Sequence, residues 1–392
     1  MRRRALWLLA LAAAVVVVTA APASADPAKP GDYRSVVTHV DPPTDAVMVK
    51  VVGGDGFLDV KAKPGHDVIV NGYNGGPWLH IRPDGTIEEN QLSTATYING
   101  DRYGRTPPPD NVTDKTETTE PSQYKVIGSG GEYAWHDHRI HWMSPDHPGE
   151  YTIDGVTHTH KAGDVIFPDW TVQLVVDGKP VTVHGQLTWV KSVSPIPYFV
   201  IAIVLTIGLV LFGRKSALAA AVAVLVASIA ALLVGWRSWN SIPSAAGPNP
   251  LEIALPLIAV VTSALAVIFR KHALSVVGIL AAVSALGGWC IERFAVLLNP
   301  VLPTELSFGL DRTTTAVAIG ACIGAAVIAV RAGVVLPESP LAESPFVSED
   351  RHFIDCLRRG AAPTPAPTEA LAALRVSLAC VSSARTGEVA CP

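Results

Sequence analysis

Five long apolar runs in the second half of the chain restrict its fold more than any other feature. A helix that crosses the hydrocarbon core of a bilayer needs about 20 apolar residues. The 392-residue chain is also 49% hydrophobic and only 16% charged, with a mean hydropathy of +0.33. These values predict an α-helical transmembrane bundle of about five helices over residues 196–331, in contact with a lipid bilayer. The predicted spans are 196–213, 217–235, 251–269, 273–291 and 313–330.

The residues at the ends of these runs predict the orientation of the spans. Lys and Arg stand at every second boundary, at Arg214, Lys215, Arg270, Lys271 and Arg331. Tryptophans stand at the opposite boundaries, at Trp236, Trp239 and Trp289. Cytoplasmic loops carry an excess of Lys and Arg, and indoles favour the membrane interface. We therefore expect a plasma-membrane protein whose first half is extracytoplasmic and whose tail, 332–392, is cytoplasmic and disordered.

A weak internal repeat also runs through the apolar half. The segment 212–218 resembles 269–274, and the spans that follow end in Gly235-Trp236 and Gly288-Trp289. Repeats are common in transporters, but an ion pathway normally places ionisable residues at mid-depth in the membrane. Here such residues lie near the outer ends instead, at Glu252, Glu292 and Arg293. This pattern favours a scaffold or partner-binding bundle over a transporter.

The N-terminus carries an export signal. Three arginines precede an apolar run over 5–18, which ends in Ala23-Ser24-Ala25, so residues 1–25 are predicted to be a signal peptide. Residues 26–195 contain no cysteine, which excludes a disulfide framework and a Cys-based zinc site in this exported domain. Any metal there must be bound by His, Met or carboxylate. The formal net charge of −4 gives no basic field for nucleic acid.

Short β-type runs separated by Gly and Pro fill residues 26–195. Alternating valines lie over 47–52, and the clearest hairpin joins 171–176 to 181–189 through Asp177-Gly178, a strong hairpin signal. Short strands at this spacing are typical of an antiparallel sandwich. The fold class is therefore an all-β, Ig-like antiparallel sandwich followed by the membrane bundle.

The stretch from Trp135 to Met143 concentrates the chemistry of the exported domain. In a strand, His136 and His138 would share one face, about 6.6 Å apart. His158 and His160 repeat this spacing, and a turn between the pairs could bring four imidazoles together. Imidazole suits copper and zinc, and a thioether favours copper. The predicted site has these four ligands, the auxiliary residues His141 and Met143, and the supporting residues Trp135, Asp137, Arg139 and Trp142.

Two other interpretations remain open. Asp137 and Arg139 could form a buried pair within a polar network that fixes a loop without metal. In that case the domain would be a non-catalytic interaction or assembly protein that contacts another envelope protein through Trp135 and Trp142. An enzyme is the least favoured class, since no nucleophile motif, phosphate loop or carboxylate pair stands out. The leading function is transition-metal binding, of copper or zinc, for handling or sensing.

The signature WHDHRIHWM, residues 135–143, resembles that of a group of uncharacterised actinobacterial membrane proteins, in which an exported β domain precedes several spans. The resemblance covers most of 33–335 and implies this architecture, without an activity. The hairpin over 170–190 more loosely resembles the closing strands of CopC-type copper-binding sandwiches. That family usually begins its mature chain with a His ligand, whereas Asp26 is expected to be the first residue here.

Overall fold

The computed structural model describes residues 28–153, 155–213, 216–243, 249–269, 274–334 and scattered residues between 351 and 383. The chain forms two compact units, residues 1–330 and 331–392. The predicted signal peptide lies outside the described residues, as does most of the predicted disordered tail. The described part of the first unit contains β-sheets in its N-terminal half and apolar helices in its C-terminal half.

Short strands form the N-terminal half. In chain order they are β1 (Tyr33–Asp41), β2 (Val47–Val52), β3 (Phe57–Ala62), β4 (Val68–Asn71), β5 (Pro77–Ile81), β6 (Ile87–Asn90), β7 (Tyr124–Gly128), β8 (Glu132–Trp135), β9 (Glu150–Ile153), β10 (Val156–Thr159), β11 (Val165–Val176) and β12 (Lys179–Trp189). Two helical turns, α1 (Ala95–Ile98) and α2 (Thr116–Thr119), lie between β6 and β7.

All strand pairs are antiparallel, as predicted. A seven-stranded sheet has the order β1-β12-β11-β4-β5-β6-β7, a three-stranded sheet has the order β2-β3-β8, and β9 pairs with β10. One cluster of buried side chains draws on both larger sheets, and Trp78 and Trp135 meet edge to face in it at 5.0 Å. The Ig-like or CopC-like type of this arrangement stays a prediction.

The predicted hairpin at Asp177-Gly178 joins β11 to β12. Asp177 and Gly178 have φ values of 49° and 75°, the left-handed conformations that a two-residue hairpin turn requires. The Asp177 carboxylate also accepts hydrogen bonds from the Asp67 N–H at 2.9 Å and from the His66 ring at 2.8 Å. The turn residue thereby ties the hairpin to the start of β4.

Five apolar helices follow: α3 (Ile196–Phe212), α4 (Ala217–Ser241), α5 (Leu251–Ile268), α6 (Leu274–Glu292) and α7 (Phe308–Val334). Among the described residues, four of them (α4 to α7) are long and apolar enough to cross a membrane, so the prediction of five spans is corrected to four. Helix α3 has 17 residues, about 26 Å at 1.5 Å per residue, against a core of about 30 Å. It begins after Pro195 and ends at Gly213, which limits its length.

The loop between α6 and α7 joins the helices to the β domain. Gly31 and Val301 exchange two backbone hydrogen bonds of 3.0 Å each. Arg312, which is buried at the start of α7, donates to the carbonyl oxygens of Val296, Asn299 and Pro300 at 2.7 to 3.1 Å. Arg312 thus holds the α6–α7 loop, which is the segment that contacts the β domain.

Candidate functional site

Residues 136–147, here called the His-Trp loop, begin where β8 ends. Strand β8 stops at Trp135, and the next strand starts only at Glu150. The Asp137 carboxylate accepts from the Arg139 N–H at 3.0 Å, and the Asp137 carbonyl accepts from the Ile140 N–H at 3.2 Å. Asp often closes a turn in this way. The expectation that His136 and His138 share one face of a strand is therefore wrong.

Asp137 and Arg139 form an ion pair at the base of this loop. Arg139 donates from Nε to Oδ1 at 2.8 Å and from Nη2 to Oδ2 at 2.7 Å, while the Trp135 indole donates to Oδ2 at 2.9 Å. The guanidinium also lies 4.9 Å above the Tyr73 ring. Burial alone would raise the pKa of the fully buried Asp137, but Arg139 holds that pKa below its usual value.

His136 and His138 both hydrogen-bond to backbone carbonyls. His136 Nδ1 lies 2.6 Å from the Gly56 oxygen, and its ring stacks on Phe57 with centroids 4.1 Å apart. His138 Nε2 lies 3.1 Å from the Asp101 oxygen. These bonds connect the loop to two other parts of the β domain, which is the geometry of a structural polar network.

His141 is fully buried in the same region. Its Nδ1 lies 3.2 Å from the Trp142 carbonyl oxygen, and its ring meets that of His138 at 5.5 Å. Its Nε2 has no hydrogen-bond partner among the described residues. Burial, reinforced by the nearby Arg102 guanidinium, lowers the pKa of His141 to about 3. The imidazole is therefore neutral throughout the physiological range.

His158, of the second histidine pair, lies in a different sheet, and His160 follows just after the end of its strand. His158 is in β10, whose strand partner is β9, whereas β8 pairs with β3. The predicted convergence of the two pairs through adjacent antiparallel strands is therefore wrong. Within the described ranges, no group of three or more His, Cys, Asp or Glu is placed to hold a metal ion. Met143, the predicted thioether ligand, is 40% exposed.

A cavity of about 330 Å³, here called the junction cavity, opens beside the His-Trp loop. Its walls come from the N-terminal segment, the β2–β3 turn, the segment after α1, the His-Trp loop and, from the helical half, Asn299. Four charged residues line it: Lys29, Asp32, Asp55 and Arg102. The rings around it belong to Tyr33, Tyr103, His136, Trp142 and His147.

Several polar groups of the junction cavity are paired with one another. Arg102 donates to the buried Asp55 at 2.6 Å, although burial still raises the pKa of Asp55. The Tyr33 hydroxyl and His147 Nδ1 lie 3.2 Å apart, and His147 Nε2 is 3.6 Å from Asp32. Burial and the negative charge of Asp32 raise the pKa of Tyr33 to about 12, so its hydroxyl stays protonated. The cavity wall is a hydrogen-bonding surface with balanced charge.

A second charged group, here called the helix-end cluster, consists of Glu252, Arg293 and Asp311. Arg293 donates to both oxygens of Asp311 at 2.5 and 2.6 Å and to Glu252 Oε2. Its guanidinium lies 5.1 Å from the centroid of the Trp289 ring. In the sequence, Glu252 and Arg293 lie near the predicted outer ends of helices. Asp311 lies outside the predicted span, which begins at residue 313, although the adjacent Asp311 and Arg312 before an apolar run are a usable signal.

No family model, curated protein or solved structure matches this chain. The two family resemblances stated from the sequence therefore stay predictions.

The two indoles of the WHDHRIHWM stretch have different surroundings. Trp135 belongs to the buried core, so it is unavailable for docking, whereas Trp142 reaches the junction cavity.

Proposed function

We propose that this protein is a non-catalytic binding protein of the cell envelope, which holds a small uncharged polar molecule in the junction cavity. The observation that carries the proposal is a charge-balanced, aromatic-lined cavity built by both halves of the chain. Ligand pockets favour interfaces between structural units and combine aromatic walls with a few fixed polar groups. Ligand binding there would stabilise the contact between the β domain and the helices.

Charge distribution supports an extracytoplasmic β domain. The β domain contacts the α6–α7 loop, at one end of the bundle. Helix α3 runs beside α7, with Thr206 Oγ1 3.2 Å from the Gly320 oxygen, and Gly213 packs near Ile328. Arg331, near the end of α7 away from that loop, therefore belongs to the opposite end of the bundle, which the positive-inside rule assigns to the cytoplasm.

The residues that line the junction cavity indicate which kind of ligand it would bind. Lys29 and Arg102 balance Asp32 and Asp55, so the cavity has no net preference for an anion or a cation. Planar polar groups and aromatic rings together suit a ring-shaped molecule with several hydroxyl groups. A volume of about 330 Å³ accommodates a molecule of monosaccharide size. We therefore infer a small neutral polyhydroxyl compound.

The test is calorimetric titration of the full chain in nanodiscs with neutral monosaccharides and cyclitols, beside acetate as a charged comparison. Neutral compounds should bind, and Tyr103→Ala should weaken binding at least about tenfold, the loss of one good contact. Tyr124→Ala, in β7 and outside the cavity lining, is the matched control and should leave affinity unchanged. Equal effects of the two substitutions, or no binding by any neutral compound, would refute the proposal.

One observation favours a second candidate, transition-metal binding at His158 and His160 alone. Their imidazoles stack nearly parallel, with centroids 6.3 Å apart and an interplanar angle of 4°, on the β9–β10 hairpin. Two imidazoles, with water molecules as the remaining ligands, would bind Cu(II) or Zn(II) with low affinity. Metal analysis should then show loss of binding in His158→Ala/His160→Ala and retention in His136→Ala. Loss of binding in His136→Ala as well would instead support the four-histidine site predicted from the sequence, and no metal in wild type would exclude both sites.

A further inference from the structure

Two histidines lie side by side on the outer face of the seven-stranded sheet. His39 in β1 and His184 in β12 are register partners, and their rings stack with centroids 4.3 Å apart and an interplanar angle of 5°. His39 is exposed, and 21% of the His184 side chain is accessible. Solvent therefore reaches both imidazoles, here called the sheet-face pair.

A bulge in β1 gives His39 this position. The register of β1 against β12 shifts between Val37 and His39, so that Thr38 is an extra residue in β1. Val37 and Val40 both pack against the buried core, whereas His39 is exposed. In a regular strand Val37 and His39 would share a face, because side chains alternate with a period of two. The bulge therefore turns His39 outward, opposite His184, and bulges often re-aim a side chain in this way.

The strand on the other side of β12, β11, brings a carboxylate to His184. Its register against β12 shifts within residues 167–170, and Asp169 lies in this irregular stretch. The Asp169 carboxylate accepts a hydrogen bond from His184 Nδ1 at 2.9 Å. In a neutral imidazole this bond fixes the tautomer and leaves the lone pair on the other nitrogen, Nε2. Metal-binding histidines are commonly held by a carboxylate in this way.

Both Nε2 atoms of the sheet-face pair are available to a ligand. His39 Nδ1 lies 3.2 Å from Thr38 Oγ1, and His184 Nδ1 is bonded to Asp169. Among the described residues, neither Nε2 has a hydrogen-bond partner. The pair thus combines two accessible nitrogen donors on adjacent strands with a carboxylate that orients one of them.

We propose that the sheet-face pair binds a divalent transition-metal ion through its two Nε2 atoms, with water as the remaining ligands. Imidazole suits Zn²⁺, Cu²⁺ and Ni²⁺. A metal ion lies in the plane of each ring that binds it, so the parallel rings must turn toward each other. The exposed His39 ring can turn at the cost of one exposed hydrogen bond, the one to Thr38. His39, His184 and the positioning residue Asp169 do not line the junction cavity, so the site does not depend on the function proposed there.

The experiment titrates the full chain with Zn²⁺ in phosphatidylcholine nanodiscs, after purification through an affinity tag without histidine. The parent protein carries His158→Ala/His160→Ala, which removes the other stacked histidine pair. Any Zn²⁺ lost through that change belongs to the β9–β10 hairpin, so the remaining binding reports on the sheet-face pair. The parent should bind Zn²⁺ with a dissociation constant of about 1 mM or tighter, and Mg²⁺, which prefers oxygen ligands, should not compete. Zn²⁺ should also raise the unfolding midpoint of the parent, because only the folded chain brings the two imidazoles together.

Substitutions decide whether the sheet-face pair is the site. His39→Ala and His184→Ala should each weaken Zn²⁺ binding at least about tenfold. The two changes together should weaken it little further, because both imidazoles bind the same ion. Asp169→Asn should weaken binding about tenfold or more, as the loss of an orienting partner does at other metal sites.

His66→Ala is the matched control. His66 is partly exposed and its Nδ1 lies 2.8 Å from an Asp177 oxygen, but its ring stacks on no second imidazole among the described residues. This substitution should leave the Zn²⁺ affinity unchanged. Unfolding midpoints without Zn²⁺ identify a variant that loses its fold, and His39→Gln then takes the place of His39→Ala. The proposal is overturned if the parent does not bind Zn²⁺, or if the His39 and His66 substitutions change its affinity equally.

Discussion

The His-Trp loop and the helix-end cluster each pair buried carboxylates with an arginine, but over very different distances in the chain. Asp137 and Arg139 are two residues apart, whereas Arg293 reaches Glu252 across 41 residues and Asp311 across 18. The loop pair is neutral and local, so it fixes a turn. The helix-end cluster carries one excess negative charge and joins three helices. The comparison shows that similar chemistry can stabilise a local loop in one region and tertiary packing in another.

The largest test of this difference is Arg293→Met. This substitution would leave two carboxylates facing each other, one of them fully buried, and removal of one partner from a buried pair costs about 3 to 5 kcal/mol. We expect a loss of about 4 kcal/mol in the stability of the helical half, measured by denaturant unfolding of the full chain in detergent with tryptophan fluorescence.

A matched variant separates charge from packing. Arg293→Met combined with Glu252→Gln and Asp311→Asn removes all three charges and should recover more than half of the lost stability, since no uncompensated buried carboxylate remains. If the triple variant is as unstable as Arg293→Met alone, the cluster acts through shape rather than charge, and the contrast with the loop pair disappears.

Arg139→Met is the corresponding change in the His-Trp loop. Asp137 keeps its hydrogen bonds from the Trp135 indole and from the backbone N–H of residue 139, so the cost should be smaller, about 3 kcal/mol. Hydrogen exchange of the full chain should show loss of protection in the β domain while the helices remain protected. Spread of the effect into α5 to α7 would contradict the local role of this pair.

The sequence predicted those parts of the fold that depend on local pattern. The hairpin at Asp177-Gly178 was predictable because an Asp-Gly pair between alternating apolar runs is a strong signal for a two-residue hairpin turn. The apolar helices were predictable from length and composition. The number of spans was not, because the first helix covers nearly all of its predicted run but, at 17 residues, is shorter than the hydrocarbon core of a bilayer. Asp311 and Arg312 were excluded from the last predicted span, although a buried charge is tolerated when partners from distant segments neutralise it.

The candidate site, like the fold, was predictable only in those parts that depend on local pattern. The sequence indicated that the stretch after β8 matters and that Asp137 and Arg139 could pair, since both residues are neighbours. It also predicted alternation at His136 and His138, which the Asp137 turn prevents. The junction cavity was beyond prediction, because Asp55 and Arg102 are 47 residues apart and Asn299 comes from the other half of the chain. Only the tertiary fold brings such residues together.

Protonation of His141 gives the His-Trp loop a pH-dependent stability that distinguishes it from the helix-end cluster. Its pKa is about 3 in the folded chain and about 6.5 in an unfolded one, so protonation below pH 6.5 favours unfolding. The stabilising contribution is complete above pH 6.5 and is lost progressively toward pH 3, with a loss of about 2 kcal/mol at pH 5. Hydrogen exchange at pH 7 and pH 5, corrected for intrinsic rates, measures it.

His141→Phe keeps an aromatic ring of similar size and should abolish this part of the acid sensitivity of the β domain. The exposed His39, replaced by Phe, is the control and should leave the pH dependence as in wild type. If the β domain of His141→Phe still loses the same protection at pH 5, a different group controls its acid response.

The smallest expected effect concerns the backbone that positions Glu252. A Cβ on Gly235 would lie 1.9 Å from the Glu252 carbonyl oxygen, whereas a Cβ on Gly288, the equivalent residue of the internal repeat, would make only an ordinary contact with Leu255 at 3.6 Å. Gly235→Ala should therefore force α4 away from α5 and cost about 1 to 2 kcal/mol, despite the better helix propensity of Ala. Gly288→Ala should be neutral or slightly stabilising. Unfolding midpoints of the two variants in the same detergent provide the comparison.

Equal midpoints would mean that the two Gly-Trp motifs are equivalent in packing, and that the helix-end cluster does not depend on close contact between α4 and α5.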